Sequence, residues 1–405
     1  MVASNIIKAS NGWARALKDQ NYRSYVLTSM GASDSEKDEL LRYTENTYDH
    51  AGLSRTMPLP DEPFISVWEE YESEAMLKGA FDSLRGALVQ LWFPVRKGIS
   101  EEAFYRSVTL RGVPPQEVSE ATGLKLKRPD LLHLTIHSTL AGRIPVIATT
   151  VREDFVALVR VLTKRNEPAP IPKSMGSAIV TGYNNWDRIG RYRKRWEAEN
   201  LRNSSEDRWK EEFKRIIPQK DLYQDRFIIL SDGPYSAVPA SEMGLSEDEW
   251  QRLSLIIRRE HECTHYVTQQ LFSSMHNRLI DELIADYTGI VAASGRYRAD
   301  WFLRFLGLGH FPEYREGGRL ENYRGEPPLS DGAFKILQAL AKRASENLEE
   351  FDRRYRRNFE AERWKTIAVI VLTCLTIEEL ASERSLPILQ KALGQAERCV
   401  FKNCG

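Results

Sequence analysis

The chain has 405 residues, of which 57 are basic and 57 are acidic, so its formal net charge is zero. Hydrophobic residues make up 42% and charged residues 28%, values typical of a soluble globular protein with a sizeable core. A neutral chain lacks the excess positive charge with which proteins bind nucleic acids, so no nucleic-acid partner is expected.

The cysteines and the apolar runs indicate a reduced, cytoplasmic protein without a membrane span. Its four cysteines are too few and too irregularly spaced for a disulfide framework; they are Cys263, Cys374, Cys399 and Cys404. The longest apolar run, Thr366–Ile377, is too short to cross a bilayer and is predicted to be a buried helix or strand. No secretory signal is visible between Met1 and Lys18.

Residues 1–220 are predicted to form a mixed α/β region of unknown role. Helical periodicity appears in Ser35–Thr47 and Phe64–Arg85, and Ala87–Pro94 is predicted to be an apolar strand. An α/β pattern then follows, with strands at Ile144–Thr150 and Ser177–Tyr183, a helix at Arg152–Lys164 and a charged helical stretch at Trp186–Ile216.

Residues 221–405 are predicted to form a second region. It begins with a strand at Arg226–Leu230. Ser246, with Glu249 three residues later, forms a capping box that opens a helix running to about Leu271. A second helix over Asp281–Ala293 ends at Gly295, and the remainder is predicted to be mostly helical apart from a loop at Gly307–Leu329. Together the two regions predict the α+β class.

The first of these helices contains the motif HExxH, formed by His261, Glu262 and His265. Four residues turn a helix by about 400°, so the two imidazoles project from one face about 6 Å apart, as chelation of one ion requires. Glu262 lies beside that face, too far round to be a ligand but within reach of a metal-bound water, where a general base is needed.

A third ligand is expected on the next helix, where Glu282 and Asp286 share a face. One of the two carboxylates can bind the metal while the other orients a ligand histidine. Two histidines and one carboxylate leave a coordination position open, which is typical of catalytic zinc. The same set also forms the facial triad of iron(II) oxygenases. The residues therefore leave three alternatives: a zinc hydrolase, an iron oxygenase, or a binding protein stabilised by a structural metal.

In this part the chain resembles the gluzincins, the thermolysin-like zinc metallopeptidases, over about residues 225–295. In that family HExxH is followed by a motif of the form NExxSD, and the corresponding stretch here is DELIAD, residues 281–286. The resemblance implies that His261, His265 and Glu282 bind zinc and that Asp286 supports His261. It also implies that Glu262 is the base and that the substrate is a peptide or protein.

The resemblance further implies a zincin-like fold, in which a sheet precedes the active helix and a helical subdomain follows it. The departures are Asp281 for Asn, Ala285 for Ser and a shorter connection, and they bear on the substrate subsite more than on the metal. The chain as a whole also resembles an uncharacterised family of predicted proteins.

Gluzincin chemistry also requires a donor that stabilises the oxyanion. The loop at His310–Tyr323 offers His310 and Tyr323 for this role, with Tyr314 and Arg319 as further candidates. The remaining chemically interesting side chains are expected to be structural or surface residues; they are Cys263, His276, His133 and His137.

Overall fold

In a computed structural model of the protein, which describes residues 20–51, 57–200, 205–274, 276 and 278–401, the chain divides into two units. One consists of the described parts of Met1–Leu59 and Pro234–Gly405, and the other of Pro60–Gly233. This division differs from the boundary expected at residue 220. The strand that the resemblance placed ahead of the active helix belongs, with residues 221–233, to the second unit.

The N-terminal part of the first unit contains two short helices, α1 (Gln20–Ser29) and α2 (Asp34–Tyr43). Helix α2 begins at a capping box in which Ser33 and Glu36 satisfy each other's backbone N–H groups. It overlaps the helical stretch predicted over Ser35–Thr47, but it begins one residue earlier and ends four residues earlier.

Long-range contacts explain why this N-terminal part belongs with the C-terminal part. The guanidinium of Arg23 lies 3.0 Å from the carboxylate of Glu378, which is fully buried. The hydroxyl of Tyr43 accepts a hydrogen bond from the backbone N–H of Leu279 at 2.9 Å and donates one to the carbonyl of Tyr323 at 2.7 Å. The polar, mixed composition of this stretch carries no signal for such contacts.

The unit Pro60–Gly233 is built on a four-stranded mixed sheet. The strands are β1 (Leu132–Thr139), β2 (Gly142–Thr149), β3 (Ser177–Asn184) and β4 (Gln224–Ser231). They lie in the order β1-β2-β4-β3. Strands β1 and β2 form an antiparallel hairpin, β2 pairs in parallel with β4, and β3 pairs antiparallel with β4. The helices are α3 (Ile65–Lys78), α4 (Ala80–Ala87), α5 (Ala103–Arg111), α6 (Arg152–Thr163), α7 (Trp186–Glu199) and α8 (Glu206–Ile216).

The strands and helices predicted from residue 144 to residue 230 are confirmed in type and position, except that the helical stretch Trp186–Ile216 contains two helices, α7 and α8. Two earlier predictions need correction. The helix predicted over Phe64–Arg85 is interrupted at Gly79, whose φ of 89° ends α3 and starts α4. The strand predicted at Ala87–Pro94 is wrong, because Val89–Trp92 forms a 3-10 turn that buries Leu91 in the core of this unit. A short apolar run does not distinguish a strand from a buried turn or helix.

From Pro234 onward the first unit is helical. Its helices are α9 (Ala240–Met243), α10 (Glu247–Phe272), α11 (Leu279–Ser294), α12 (Ala299–Leu306), α13 (Asp331–Tyr355), α14 (Ala361–Thr373), α15 (Ile377–Ala381) and α16 (Ser385–Phe401). The predicted loop at Gly307–Leu329 contains one 3-10 turn, Arg319–Tyr323.

Short 3-10 turns also connect several elements; they are Ile99–Glu101, Pro115–Glu117, Pro129–Leu131, Lys220–Leu222, Tyr235–Ala237 and Arg356–Asn358. Helical layers in one unit and a small mixed sheet in the other confirm the α+β class. None of the helices in the described ranges is both long and apolar enough to cross a membrane.

Candidate metal centre

The HExxH motif lies in the C-terminal half of α10, the longest described helix. Ser246 caps this helix by accepting a hydrogen bond from the backbone N–H of Glu249. The 26-residue helix contains neither Gly nor Pro, so its regular turn places His261 and His265 on one face. Both histidines are buried, with 6% and 7% of their surfaces exposed.

The next helix, α11, brings the carboxylate of Glu282 to the same point. A close approach of the two helices makes this contact possible, because Gly289 lies directly against the backbone of Ile257. Next to Gly289 in sequence, Thr288 hydrogen-bonds through its hydroxyl to the hydroxyl of Thr264, a residue of the motif, across the helix interface. Helix α11 ends as predicted at Gly295, which is left-handed with a φ of 76°.

Three potential ligand groups converge between the helices. The Nε2 atoms of His261 and His265 are 3.0 Å apart. Nε2 of His261 lies 3.4 Å from Oε2 of Glu282, and Nε2 of His265 lies 3.4 Å from Oε1 of the same carboxylate. Zinc bonds of about 2.0–2.2 Å at tetrahedral angles would separate ligand atoms by roughly 3.3–3.6 Å. The three side chains therefore fit one ion of this size with little rearrangement.

The electrostatics of the three groups also fit a cation. Burial lowers the pKa of His265, but the contact with Glu282 and its charge outweigh this effect and raise the pKa to about 9. Burial raises the pKa of Glu282, whereas His265 and His261 lower it more strongly, so the carboxylate stays ionised. Its Oε2 atom is buried and has no hydrogen-bond partner among the described residues, and a metal ion would satisfy it.

Asp286 lies behind His261, on the side away from these ligand atoms. Its Oδ1 atom is 2.7 Å from Nδ1 of His261, which is the contact expected of a carboxylate that orients this ring. Asp286 is fully buried. Burial raises its pKa, but the guanidinium of Arg319 and the adjacent His261 lower it more strongly.

Two further side chains surround Asp286. The hydroxyl of Tyr235 donates to Oδ1 of Asp286 at 2.6 Å and also lies 2.8 Å from Nδ1 of His261. Arg319 donates to Oδ2 of Asp286 and, at 2.7 Å, to the hydroxyl of Tyr235. Arg319, considered from the sequence as an oxyanion donor, thus contacts Asp286 and Tyr235.

Sequence reasoning did not identify Tyr235. It lies in the 3-10 turn Tyr235–Ala237, where Ser236 and Ala237 both adopt left-handed conformations, with φ of 52° and 55°. Such backbone strain is concentrated at functional sites. The only signal in the sequence is the turn at Gly233–Pro234 that precedes it, and a turn does not predict a contact with a histidine 26 residues away.

The N-terminal part of this unit also reaches the site, and the sequence did not predict this either. The hydroxyl of Tyr48 donates to Oδ1 of Asp281 at 2.6 Å, and Asp281 precedes the candidate ligand Glu282. Tyr43 binds the backbone N–H of Leu279 in the first turn of α11. These two tyrosines fix the start of the helix that presents Glu282.

The other side chains of the motif take different positions. Glu262 is half-buried and next in sequence to His261, and its charge contributes to the raised pKa of His265. Cys263 is 3% exposed, and burial raises the pKa of its thiol, as expected of a structural cysteine.

The two oxyanion candidates differ sharply. Tyr323 is 8% exposed, and its pKa is raised far above the usual value by burial and by the carboxylates of Glu282 and Asp286, against the opposing charge of Arg319. His310 is exposed, and its backbone pairs with Glu313. The structure therefore places Tyr323 close to Glu282.

The remaining histidines considered from the sequence lie elsewhere. His276 is exposed in the connection between α10 and α11. His133 and His137 lie in β1 of the other unit, where His133 is exposed and His137 half-buried.

A family model described as a family of unknown function (DUF7005) matches residues 25–384. The matched range includes every residue of the site described above. No curated protein and no solved structure matches the chain.

Proposed function

The chain belongs to this family of unknown function, DUF7005, and on the chemistry of its site we propose that it is a zinc-dependent hydrolase that cleaves peptide bonds. The observation that carries the proposal is the convergence of His261, His265 and Glu282. The two Nε2 atoms lie 3.0 Å apart, and each lies 3.4 Å from one of the two carboxylate oxygens. The half-buried Glu262 beside these ligands adds the base that hydrolysis needs.

A zinc ion bound by these three side chains would polarise the scissile carbonyl and lower the pKa of a bound water to about 7. Glu262 would accept a proton from the attacking water and deliver it to the leaving amine. Asp286 would keep the ring of His261 oriented while the charge at the site changes. Tyr323 is supported as an oxyanion donor by its closeness to Glu282, and His310 has no comparable support.

One observation favours a second candidate, a structural metal that stabilises the two helices. The side chains of His261, His265 and Glu282 are only 7%, 10% and 4% exposed, as is usual for a closed structural site. Structural zinc sites, however, have four protein ligands, and three residues form the described cluster. The role of Glu262 distinguishes the two functions, because a structural metal does not need it.

The test combines metal analysis with the variant Glu262→Gln. Protein purified without added metal is expected to contain one zinc ion per chain and to cleave members of a mixed peptide library. Glu262→Gln is expected to keep the zinc and to lose about 10²–10⁴ in rate, because Gln cannot accept the proton of the water.

Glu249→Gln, an exposed position on the same helix, serves as the matched control and should leave the rate unchanged. Iron in place of zinc, with turnover that requires oxygen, would favour the oxygenase alternative. Bound zinc without peptide cleavage would favour the structural metal.

A further inference from the structure

The hydrogen bonds around Asp286 form a chain that begins at Arg319. One terminal nitrogen of Arg319 donates to Oδ2 of Asp286, and the other donates to the hydroxyl of Tyr235. Oδ1 of Asp286 accepts from Tyr235 and faces Nδ1 of His261. None of the four side chains is more than 14% exposed, so water does not compete freely for these hydrogen bonds.

The direction of these hydrogen bonds follows from their chemistry. A guanidinium can only donate and an ionised carboxylate can only accept, so the hydrogens point from Arg319 and Tyr235 towards Asp286. His261 must then also donate to Asp286, which places its ring hydrogen on Nδ1. The lone pair of the ring is left on Nε2, the atom that faces His265 and Glu282.

We propose that Arg319 is a positioning residue that determines, through Asp286, which nitrogen of His261 offers its lone pair to the metal. This inference rests on the metal site of the proposed function, and it does not depend on hydrolysis. A role for Arg319 that is merely structural, anchoring the loop Gly307–Leu329 to α11, makes a different prediction.

The substitution Asp286→Asn distinguishes the positioning role of Arg319 from a merely structural one. An amide has one acceptor oxygen and one donor nitrogen, and donor-only Arg319 requires the oxygen to face it. The NH₂ group of the amide then faces His261 and donates to Nδ1, which moves the ring hydrogen to Nε2, where it blocks the metal. The equivalent Asp→Asn change in a serine protease lowers the rate about 10⁴-fold through the wrong histidine tautomer.

Replacing Arg319 as well removes the need for the amide oxygen to face position 319. In the double variant Asp286→Asn/Arg319→Met, the amide can turn its oxygen towards His261 and accept from Nδ1 again. Loss of Arg319 should therefore partly rescue the zinc affinity that Asp286→Asn loses. If Arg319 only anchors the loop, the two losses instead add together.

The experiment measures zinc affinity of the metal-free full-length protein by competition with a chromophoric chelator, and the tautomer of His261 by ¹⁵N NMR. Asp286→Asn is expected to bind zinc at least about 100-fold more weakly than the wild type and to carry its ring hydrogen on Nε2. The double variant is expected to bind at least about 10-fold more tightly than Asp286→Asn. Arg315→Met, an exposed arginine of the same loop, is the control for Arg319→Met and should bind like the wild type.

The proposal is overturned if the double variant binds zinc no more tightly than Asp286→Asn does. If thermal melting shows that the double variant is unfolded, the NMR spectrum of Asp286→Asn decides alone, because retention of the hydrogen on Nδ1 is incompatible with the proposal. Failure of the wild type to bind zinc would remove both this inference and the proposed function. Zinc binding with the expected rescue but no hydrolysis would remove the proposed function alone.

Discussion

A β-carbon on Gly289 would lie 2.7 Å from the backbone oxygen of Ile257, a distance that real β-carbons essentially never show. The absence of a side chain at this position is what allows α11 to approach α10 closely enough for Glu282 to reach the two histidines. The contacted atom is backbone and cannot move without moving the helix.

Gly289→Ala is therefore expected to destabilise the protein by about 1–3 kcal/mol, the usual cost of overpacking, and to weaken zinc binding by separating the ligands. Chemical denaturation and zinc titration measure the two effects. Gly394→Ala is the matched control, because a β-carbon there meets only the flexible end of Arg398 at 3.7 Å. Added helix propensity should make that variant up to about 1 kcal/mol more stable. Equal stability of the two variants would contradict the role assigned to Gly289.

Glu282→Gln is expected to lower metal occupancy, whereas Glu262→Gln leaves it unchanged. The amide oxygen of Gln is a neutral and weaker ligand than a carboxylate, and zinc bound by two histidines alone lacks the compensating negative charge. Elemental analysis after dialysis against a weak chelator separates the two variants. Full occupancy in Glu282→Gln would exclude this carboxylate as a ligand.

Glu379 is expected to make the stability of the protein depend on pH. Burial raises its pKa to about 7, with a contribution from Glu378, while hydrogen bonds from Thr376 and the charge of Arg23 oppose the shift. Because the folded-state pKa exceeds the unfolded value, the contribution of this group to stability is full below pH 4.5 and is lost as the pH rises through 7.

The free energy of unfolding of Glu379→Gln should therefore equal that of the wild type near pH 4.5. At pH 8 it should exceed the wild-type value by on the order of 2–3 kcal/mol. Gln can still accept from Thr376 and so preserves the capping box, which makes it a conservative change. Urea denaturation of both proteins at the two pH values provides the measurement. A stability difference that does not grow with pH would show that Glu379 titrates as in the unfolded chain.

Arg23→Met is expected to destabilise the unit that contains the candidate metal site by about 3–5 kcal/mol, because it leaves the buried carboxylate of Glu378 without its charged partner. The Oε2 atom of Glu378 already lacks a hydrogen-bond partner among the described residues. Arg353→Met removes an ion pair whose arginine is 66% exposed and should cost no more than about 1 kcal/mol. Thermal denaturation monitored by circular dichroism compares the two, and similar losses would argue against a special role for the buried pair.

The sequence predicted the parts of the site that depend on spacing within a helix. The positions of His261 and His265 four residues apart, and of Glu282 and Asp286 four residues apart, determine which side chains share a face, and the structure has both pairs as expected. The capping residue Ser246 and the terminal Gly295 are local signals of the same kind.

The parts that were not predicted depend on contacts between distant residues. Tyr48 meets Asp281 across 233 positions, and Arg319 meets Asp286 across 33 positions through an irregular loop. No periodicity or motif records such a contact, because it arises from packing of the whole unit. The strand predicted at Ala87–Pro94 was wrong for a different reason: a short apolar run is equally compatible with a buried turn, and Val89–Trp92 forms a 3-10 turn.

The unit that contains the candidate metal site is formed by two separate parts of the sequence, and this has a consequence for its synthesis. Residues up to 59 are synthesised before the unit Pro60–Gly233. That unit can form its own sheet while translation of the later residues continues. Tyr43 can form its hydrogen bond to Leu279 only after 236 further residues have been synthesised. At about 5–20 residues per second, this synthesis takes roughly 10–50 s. The segment that contains Tyr43 is therefore made before Pro60–Gly233 but contacts its partners after it, and nascent chains arrested shortly after residue 233 should expose this segment to proteases and chaperones.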